Sequence, residues 1–248
     1  MSPLTTLAAI VFLSFLVEAA AGFGSMVVAL TLGALWFSVG ELLAWLVPVN
    51  MVLSAWLVFR DRRALRWRFF ALRMLPLMGL GLALGTLVAA RAAEATWLKP
   101  LFGLFVVAIA AWQLDRALRP AASVAPLAPA VRVAVLTTAG LIHGIFTTGG
   151  PLAVFVAARE LQEKAAFRGT LSLLWLTLNA LVVPRLALEG SLDRATLRTS
   201  ALMLAPLAVG IAAGELVHHK LDERRFRIVV AVLLLIAGAV LLAKAALQ

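Results

Sequence analysis

Eight long apolar stretches, each almost free of charge, occupy most of this 248-residue chain: 4–38, 41–59, 71–90, 98–114, 133–158, 165–188, 197–217 and 226–247. An α-helix rises about 1.5 Å per residue, so about 20 apolar residues cross the roughly 30 Å hydrocarbon core of a bilayer. Composition points the same way. Hydrophobic residues make up 63% of the chain and charged residues 14%, with a mean hydropathy of +1.03; an ordinary soluble domain is about 45–50% apolar and about 25% charged. There is too little polar surface to cover the chain in water, which implies an all-α polytopic membrane protein.

The same numbers exclude several function classes. The chain has no Cys, which removes disulfides, thiolate metal sites and cysteine nucleophiles together. The net charge of +10 could point to nucleic acid, but no basic run accompanies a soluble domain, and cytoplasmic loops of membrane proteins carry the same excess of Lys and Arg. No nucleic-acid partner is expected. Met1-Ser2-Pro3 has no basic side chain before the first apolar run, and no A-x-A-like site closes it, so the first stretch reads as structure and not as a cleaved signal.

The stretches repeat. Gly24 pairs with Gly149 at a shift of 125, and Gly81 and Gly85 pair with Gly210 and Gly214 at a shift of 129. Pro76 and Pro206 stand near the start of the third piece of each half. This reads as an internal duplication, with a first transmembrane repeat over 1–118, a linker at 119–130 and a second repeat over 131–248. Lys and Arg sort the halves. If each first piece crosses an even number of times, as two short spans or a re-entrant hairpin, 16 of the 22 basic residues fall inside and 6 outside. With single crossings the split is 13 to 9. The positive-inside rule selects the first arrangement: two inverted repeats, each a broken or re-entrant first segment plus three spans, 8–10 membrane segments in all, with both termini outside.

The first piece of each half is broken, at Gly22-Phe23-Gly24 and at Thr147-Thr148-Gly149-Gly150-Pro151. Unwound backbone is tolerated at membrane depth only where protein or a cavity solvates it. A half-helix starting there leaves unpaired N–H groups with partial positive charge. In the first half the half-helix is expected after Gly24, with Ser25 as N-cap, running through Met26 to about Phe37; in the second it is expected at Gly149-Gly150, with Pro151 as the first helical residue and Thr147 or Thr148 offering hydroxyls. Two such starts meeting head to head make an anion site without a buried Arg. The bland alternative is that the glycines only permit close packing of helices.

Glu18 and His143 lie shortly before the breaks, related by the same shift of 125. Ionisable groups within membrane runs are costly and mark function by default, and this pair is a candidate for proton coupling. Asn50, Ser172, Thr177 and Asn179 sit in equivalent pieces and could line a cavity or simply bond neighbouring helices. Trp175 and Phe23 are the aromatics expected to touch a substrate, whereas Trp45, Trp56, Trp67, Trp97 and Trp112 stand near span ends as interfacial anchors do. His218 and His219 are adjacent and cannot share one helix face, so no metal site is expected there.

The runs Gly22-Phe23-Gly24-Ser25 and His143-Gly144-Ile145-Phe146-Thr147-Thr148-Gly149-Gly150-Pro151, in a chain of two related halves, resemble the TauE/SafE sulfite exporter family of membrane permeases. Ser25-Met26 stand where that family often has Gly-Pro. The resemblance implies movement of small sulfur-containing or organic anions, such as sulfite, sulfonates or sulfoacetate, across the bacterial cytoplasmic membrane. The reading is therefore a secondary transporter working by alternating access. Its expected partners are a small anion and the bilayer, without a cofactor, and pairing of two copies is left open. An intramembrane enzyme would call for clustered His and Glu, but there are three His and no H-E-x-x-H. A non-transporting membrane subunit would be expected to carry a polar interaction domain. No G-x-x-x-x-G-K-[ST] is present, so no nucleotide drives the cycle through that motif.

Overall fold

The computed structural model describes residues 2–21, 23–91, 98–118, 127–161, 163–220 and scattered helical residues between 228 and 243. The helices are α1 (Pro3–Ala21), α2 (Ser25–Gly33), α3 (Val39–Arg60), α4 (Trp67–Phe69), a π-helical turn (Phe70–Met74), α5 (Leu75–Arg91), α6 (Leu98–Leu118), α7 (Pro129–Phe146), α8 (Gly150–Glu160), α9 (Lys164–Leu188), α10 (Arg194–Leu202) and α11 (Leu204–Lys220). Among the described residues there is no strand. Among the described residues, six segments are long and apolar enough to cross a membrane: Pro3–Ala20, Val39–Arg60, Trp67–Arg91, Pro129–Phe146, Lys164–Leu188 and Arg194–Leu216. The protein is an all-helical, polytopic membrane protein. Gly22, Trp97 and most of the expected linker and final span lie outside the described residues.

Local chemistry explains where helices start and stop. Ser38 and Glu41 form a reciprocal capping box at the start of α3, satisfying two donors that would otherwise be orphaned. Pro76 and Pro206 sit in the first turns of α5 and α11. Each lacks the N–H that would continue the ladder from the preceding turn, and the chain accordingly changes helix type at Phe70–Met74 and turns at Met203. Trp36, Trp56 and Trp67 are exposed, as are Leu80, Leu84 and Leu87 along α5, which is where side chains that face lipid belong.

The packing of the first half recurs in the second. A Cβ on Gly81 would lie 2.1 Å from the Thr137 carbonyl oxygen and 2.7 Å from Leu141 N, and one on Gly210 would lie 2.8 Å from the Phe12 carbonyl oxygen and 3.3 Å from Leu16 N. Thr137 and Leu141 stand at Phe12 and Leu16 plus 125, so α5 meets α7 as α11 meets α1. Both pairs run parallel and close because only glycine leaves room for the neighbouring backbone. Helices α3 and α9 run antiparallel. Asn50 meets Asn179 at their middles, and Asp61 at the end of α3 meets Arg168 at the start of α9.

Ion pairs between different helices gather on one face, whereas Arg185 and Glu189 pair at 2.8 Å at the far end of α9. Arg60 pairs with Glu215, Arg168 with Asp61 at 2.9 Å and Glu215 at 3.2 Å, Arg73 with Glu160 at 3.0 Å, and Arg132 with Glu160 at 3.1 Å. The last pair joins the start of α7 to the end of α8, so the chain enters through α7 and returns through α8 to the same face. From Glu160 back to Gly150 is ten residues, or about 15 Å of helix.

Candidate functional site

Both breaks begin a half-helix, with three differences from the expected starts and ends. Gly24, at φ 106°, is the N-cap of α2, and Ser25 is its first helical residue. Ser25 does not cap because its hydroxyl and its N–H both turn to Glu18. Helix α2 ends at Gly33 and the chain turns through Phe37. In the second half Gly149 is the N-cap, Gly150 the first residue and Pro151 the second. No side chain caps either half-helix at its N-cap position.

The polar residues of the two halves join into one buried chain. Glu18 Oε2 accepts hydrogen bonds from Ser25 N at 3.2 Å, from Ser25 Oγ, and from Asn50 Nδ2 at 3.4 Å. Asn50 Nδ2 also donates to Ser25 Oγ at 3.1 Å, and Asn50 Oδ1 accepts from Asn179 Nδ2 at 2.8 Å and from Ser54 Oγ at 3.4 Å. Asn179 Oδ1 bonds His143 Nε2 at 3.2 Å, and the His143 ring stacks on Trp175 with centroids 5.8 Å apart and planes 14° from parallel. With Asn179 oriented this way, His143 donates through Nε2. Glu18, Ser25, Asn50, His143 and Asn179 are all buried, and the path Glu18–Asn50–Asn179–His143 links residues at equivalent places in the two halves.

The other expected site residues divide. Thr148 and Ser172 are buried with hydroxyls that have no hydrogen-bond partner among the described residues, as are Glu18 Oε1 and His143 Nδ1. Buried polar atoms are ordinarily paired; the hydroxyls of Ser14 and Thr86 are likewise without a partner among the described residues. Thr147 ends α7 in the left-handed region at φ 55°, a conformation that costs a β-branched residue. Gly149 has a packing role, since a Cβ there would lie 2.0 Å from the Ala139 carbonyl oxygen. Gly150 is different, with only Trp175 near it at 3.9 Å. Phe23 and Gly24 are partly buried and Pro151 is buried. Thr177 bonds its own helix at the Leu173 carbonyl, which takes it out of the site.

Two contributors escaped the sequence reading. Ser54 extends the chain from Asn50. Arg185 donates to the Gly144 carbonyl at 2.9 Å, satisfying the last turn of α7 where the helix stops for the break. Its signal was an Arg beside Pro184 inside an apolar stretch. Among the described residues no three His, Cys, Asp or Glu side chains are grouped to hold a metal ion.

The sulfite exporter TauE/SafE family model matches residues 7–241. The chain belongs to the TauE/SafE family. Its match therefore covers both breaks and the polar chain between them, and it makes this a membrane transport protein. The TauE/SafE chain is also 27% identical over 194 residues to the probable inner membrane transporter protein TsaS of Comamonas testosteroni, covering 77% of each chain. No solved structure matches it.

Proposed function

We propose that this TauE/SafE protein is a secondary permease that moves a small sulfur-containing or organic oxyanion across the bacterial inner membrane by alternating access. The observation that carries the reading is the pair of half-helix starts joined by one buried polar chain through Asn50 and Asn179. Helix starts favour negative charge, and a break in each half near mid-membrane is where transporters bind their cargo. The family's name and the relative's name support the transport of a sulfur oxyanion across an inner membrane. The repeated glycine contacts and the antiparallel α3 and α9 support two inverted halves, 1–118 and 131–248, that rock about the Asn50–Asn179 contact and open the breaks to each face in turn.

Of the two proton-coupling candidates at the ends of the polar chain, Glu18 and His143, the histidine is the one that suits a proton carried with the anion. Their roles separate in a transport assay. Purified protein in liposomes should take up labelled sulfite or a sulfonate, and a pH dependence carried by His143 should vanish in His143→Gln. An unchanged pH profile in that variant would remove the histidine from coupling.

A thermal-shift screen of the purified protein against sulfite, sulfonates, carboxylates and simple cations tests the substrate class. A ligand at 100 times its Kd stabilises by about 2.7 kcal/mol. Stabilisation by one or more sulfur oxyanions is the expected result, and stabilisation by cations alone with every anion silent refutes an anion site.

A further inference from the structure

We propose that the two breaks are unequal: the start of α8 takes the transported anion, and Glu18 is a built-in anion that already fills the start of α2. This rests on the anion-transport reading above and adds which break does the binding.

Glu18 sits where a free anion would sit. Its Oε2 receives the first N–H of α2 from Ser25, the Ser25 hydroxyl and the Asn50 amide, three donors on one oxygen, the pattern that holds a carboxylate. The amides along the chain point the same way: His143 donates to Asn179, Asn179 to Asn50, and Asn50 to Glu18. The positive end of α2 and a line of donors across the protein thus already meet one resident carboxyl oxygen, Glu18 Oε2. The equivalent residue of the second half is His143, which brings no negative charge to α8. No side chain caps α8.

The walls of the two breaks differ in the same sense. At the second break stand Thr148, Ser172 and Trp175; at the equivalent positions of the first, by shifts of 125 and 129, stand Phe23, Leu43 and Leu46. Leu43 and Leu46 are buried apolar side chains that offer an anion nothing. Thr148 and Ser172 are 1% and 0% exposed, and their hydroxyls have no partner among the described residues. Ser172 lies one turn before Trp175 on the same side of α9, and Trp175 is the side chain nearest Gly150, the first residue of α8. Arg185 holds the neighbouring end of α7 through the Gly144 carbonyl, so a positive side chain attends the second break, where its counterpart at the first is Trp56. Pro151 has no N–H, which leaves Gly150 N and Leu152 N as the early backbone donors of α8. Two N–H groups and two hydroxyls suit an acceptor-rich head with several oxygens, a sulfite or sulfonate group, better than a halide or a single carboxylate.

Bromide-soaked crystals of the full chain, read by anomalous diffraction, together with sulfite titration calorimetry, decide the matter. One bromide at the start of α8 and none at the start of α2 is expected, with about one sulfite bound per chain. Ser172→Ala and Thr148→Val should each weaken sulfite about tenfold or more, while Leu43→Met changes it less than twofold. Bromide at both starts, or at α2 with Glu18 displaced, overturns the unequal assignment and leaves the anion reading standing. Sulfite affinity unmoved by both hydroxyl variants also overturns the assignment. Absence of any anion from both breaks of the folded protein overturns the assignment and the anion reading together. The wild-type bromide map stands whatever the variants do to folding.

Discussion

The hydrogen bond from Asn179 to Asn50 is the shortest link between the two residues at the centre of the polar chain, and its removal has a calculable effect. Asn179→Ala deletes that bond and the partner of His143 Nε2. Interhelical hydrogen bonds in a bilayer contribute about 0.6 kcal/mol on average and up to about 1.7 kcal/mol, so two of them predict a loss of about 1–3 kcal/mol. Asn50→Ala removes the same bridge and also the contacts to Glu18, Ser25 and Ser54, and should cost somewhat more. The double variant loses the shared bridge only once and leaves neither amide stranded. Its cost should fall short of the sum of the singles by about 1 kcal/mol, well outside the roughly 0.3–0.5 kcal/mol within which independent sites add. Unfolding in mixed detergent micelles, followed by tryptophan fluorescence, measures all four corners of the cycle. Additivity would show that the two asparagines do not act as a unit and would refute the central contact as the link between the halves.

Glycine contacts predict opposite signs on one helix pair: Gly140→Ala puts a Cβ 2.1 Å from the Met78 carbonyl oxygen and should cost about 1–3 kcal/mol or more through forced separation of α5 and α7, whereas Gly79→Ala meets nothing within 4 Å and should gain about 0.5–1 kcal/mol from helix propensity, both read by the same unfolding assay. Asp193 accepts the Thr196 N–H at 2.7 Å at the start of α10, and that bond holds its carboxyl below its ordinary value. A depressed carboxylate contributes stability above its unfolded value and loses it as pH falls through the folded one, so acid titration should flatten in Asp193→Asn, which keeps the cap without the charge. Because the chain has no cysteine, Ser2→Cys and Gln248→Cys can be labelled singly with a membrane-impermeant reagent; both should react from outside, and reaction from opposite faces would remove the inverted arrangement.

The spans and the breaks were legible because bilayer crossing is a matter of length and polarity, and both are written locally. Gly24 and Gly149, Glu18 and His143, and Asn50 and Asn179 could be paired by counting residues. What counting could not reach was the direction each polar side chain takes. Ser25 is a sound N-cap by type, yet a buried carboxyl seven residues back, on the last turns of α1, offers a better acceptor, and Gly24 takes the cap because it alone tolerates φ 106° there. Gly149, a candidate of the binding loop, also faces the Ala139 carbonyl, a contact 10 residues back that no local pattern announces. Arg185 was hidden by the habit of assigning basic residues to loops, although its carbonyl partner on α7 exists only because that helix stops at the break.

The places where equivalent residues differ carry the most information about how the two faces of the protein differ. At the charged face Arg168 grips Asp61 through two nitrogens and Glu215 through one, tying the ends of α3 and α11 to the start of α9. The equivalents of Arg168, Asp61 and Glu215, by a shift of 129, are Val39, Gly190 and Thr86, none of them charged. At the opposite end the comparable tie is one hydrogen bond, from Ser200 Oγ to the Trp45 carbonyl at 2.9 Å. Partly exposed ion pairs contribute about 0.2–1 kcal/mol each, weakened by salt, so the grip at the charged face is modest in sum but responds to ionic strength, while the Ser200–Trp45 hydrogen bond carries no charge. The two halves share their glycine contacts and their central asparagines, and they differ in what ties their ends together: charged side chains between α3, α9 and α11 at one end, and a hydroxyl on a backbone carbonyl at the other.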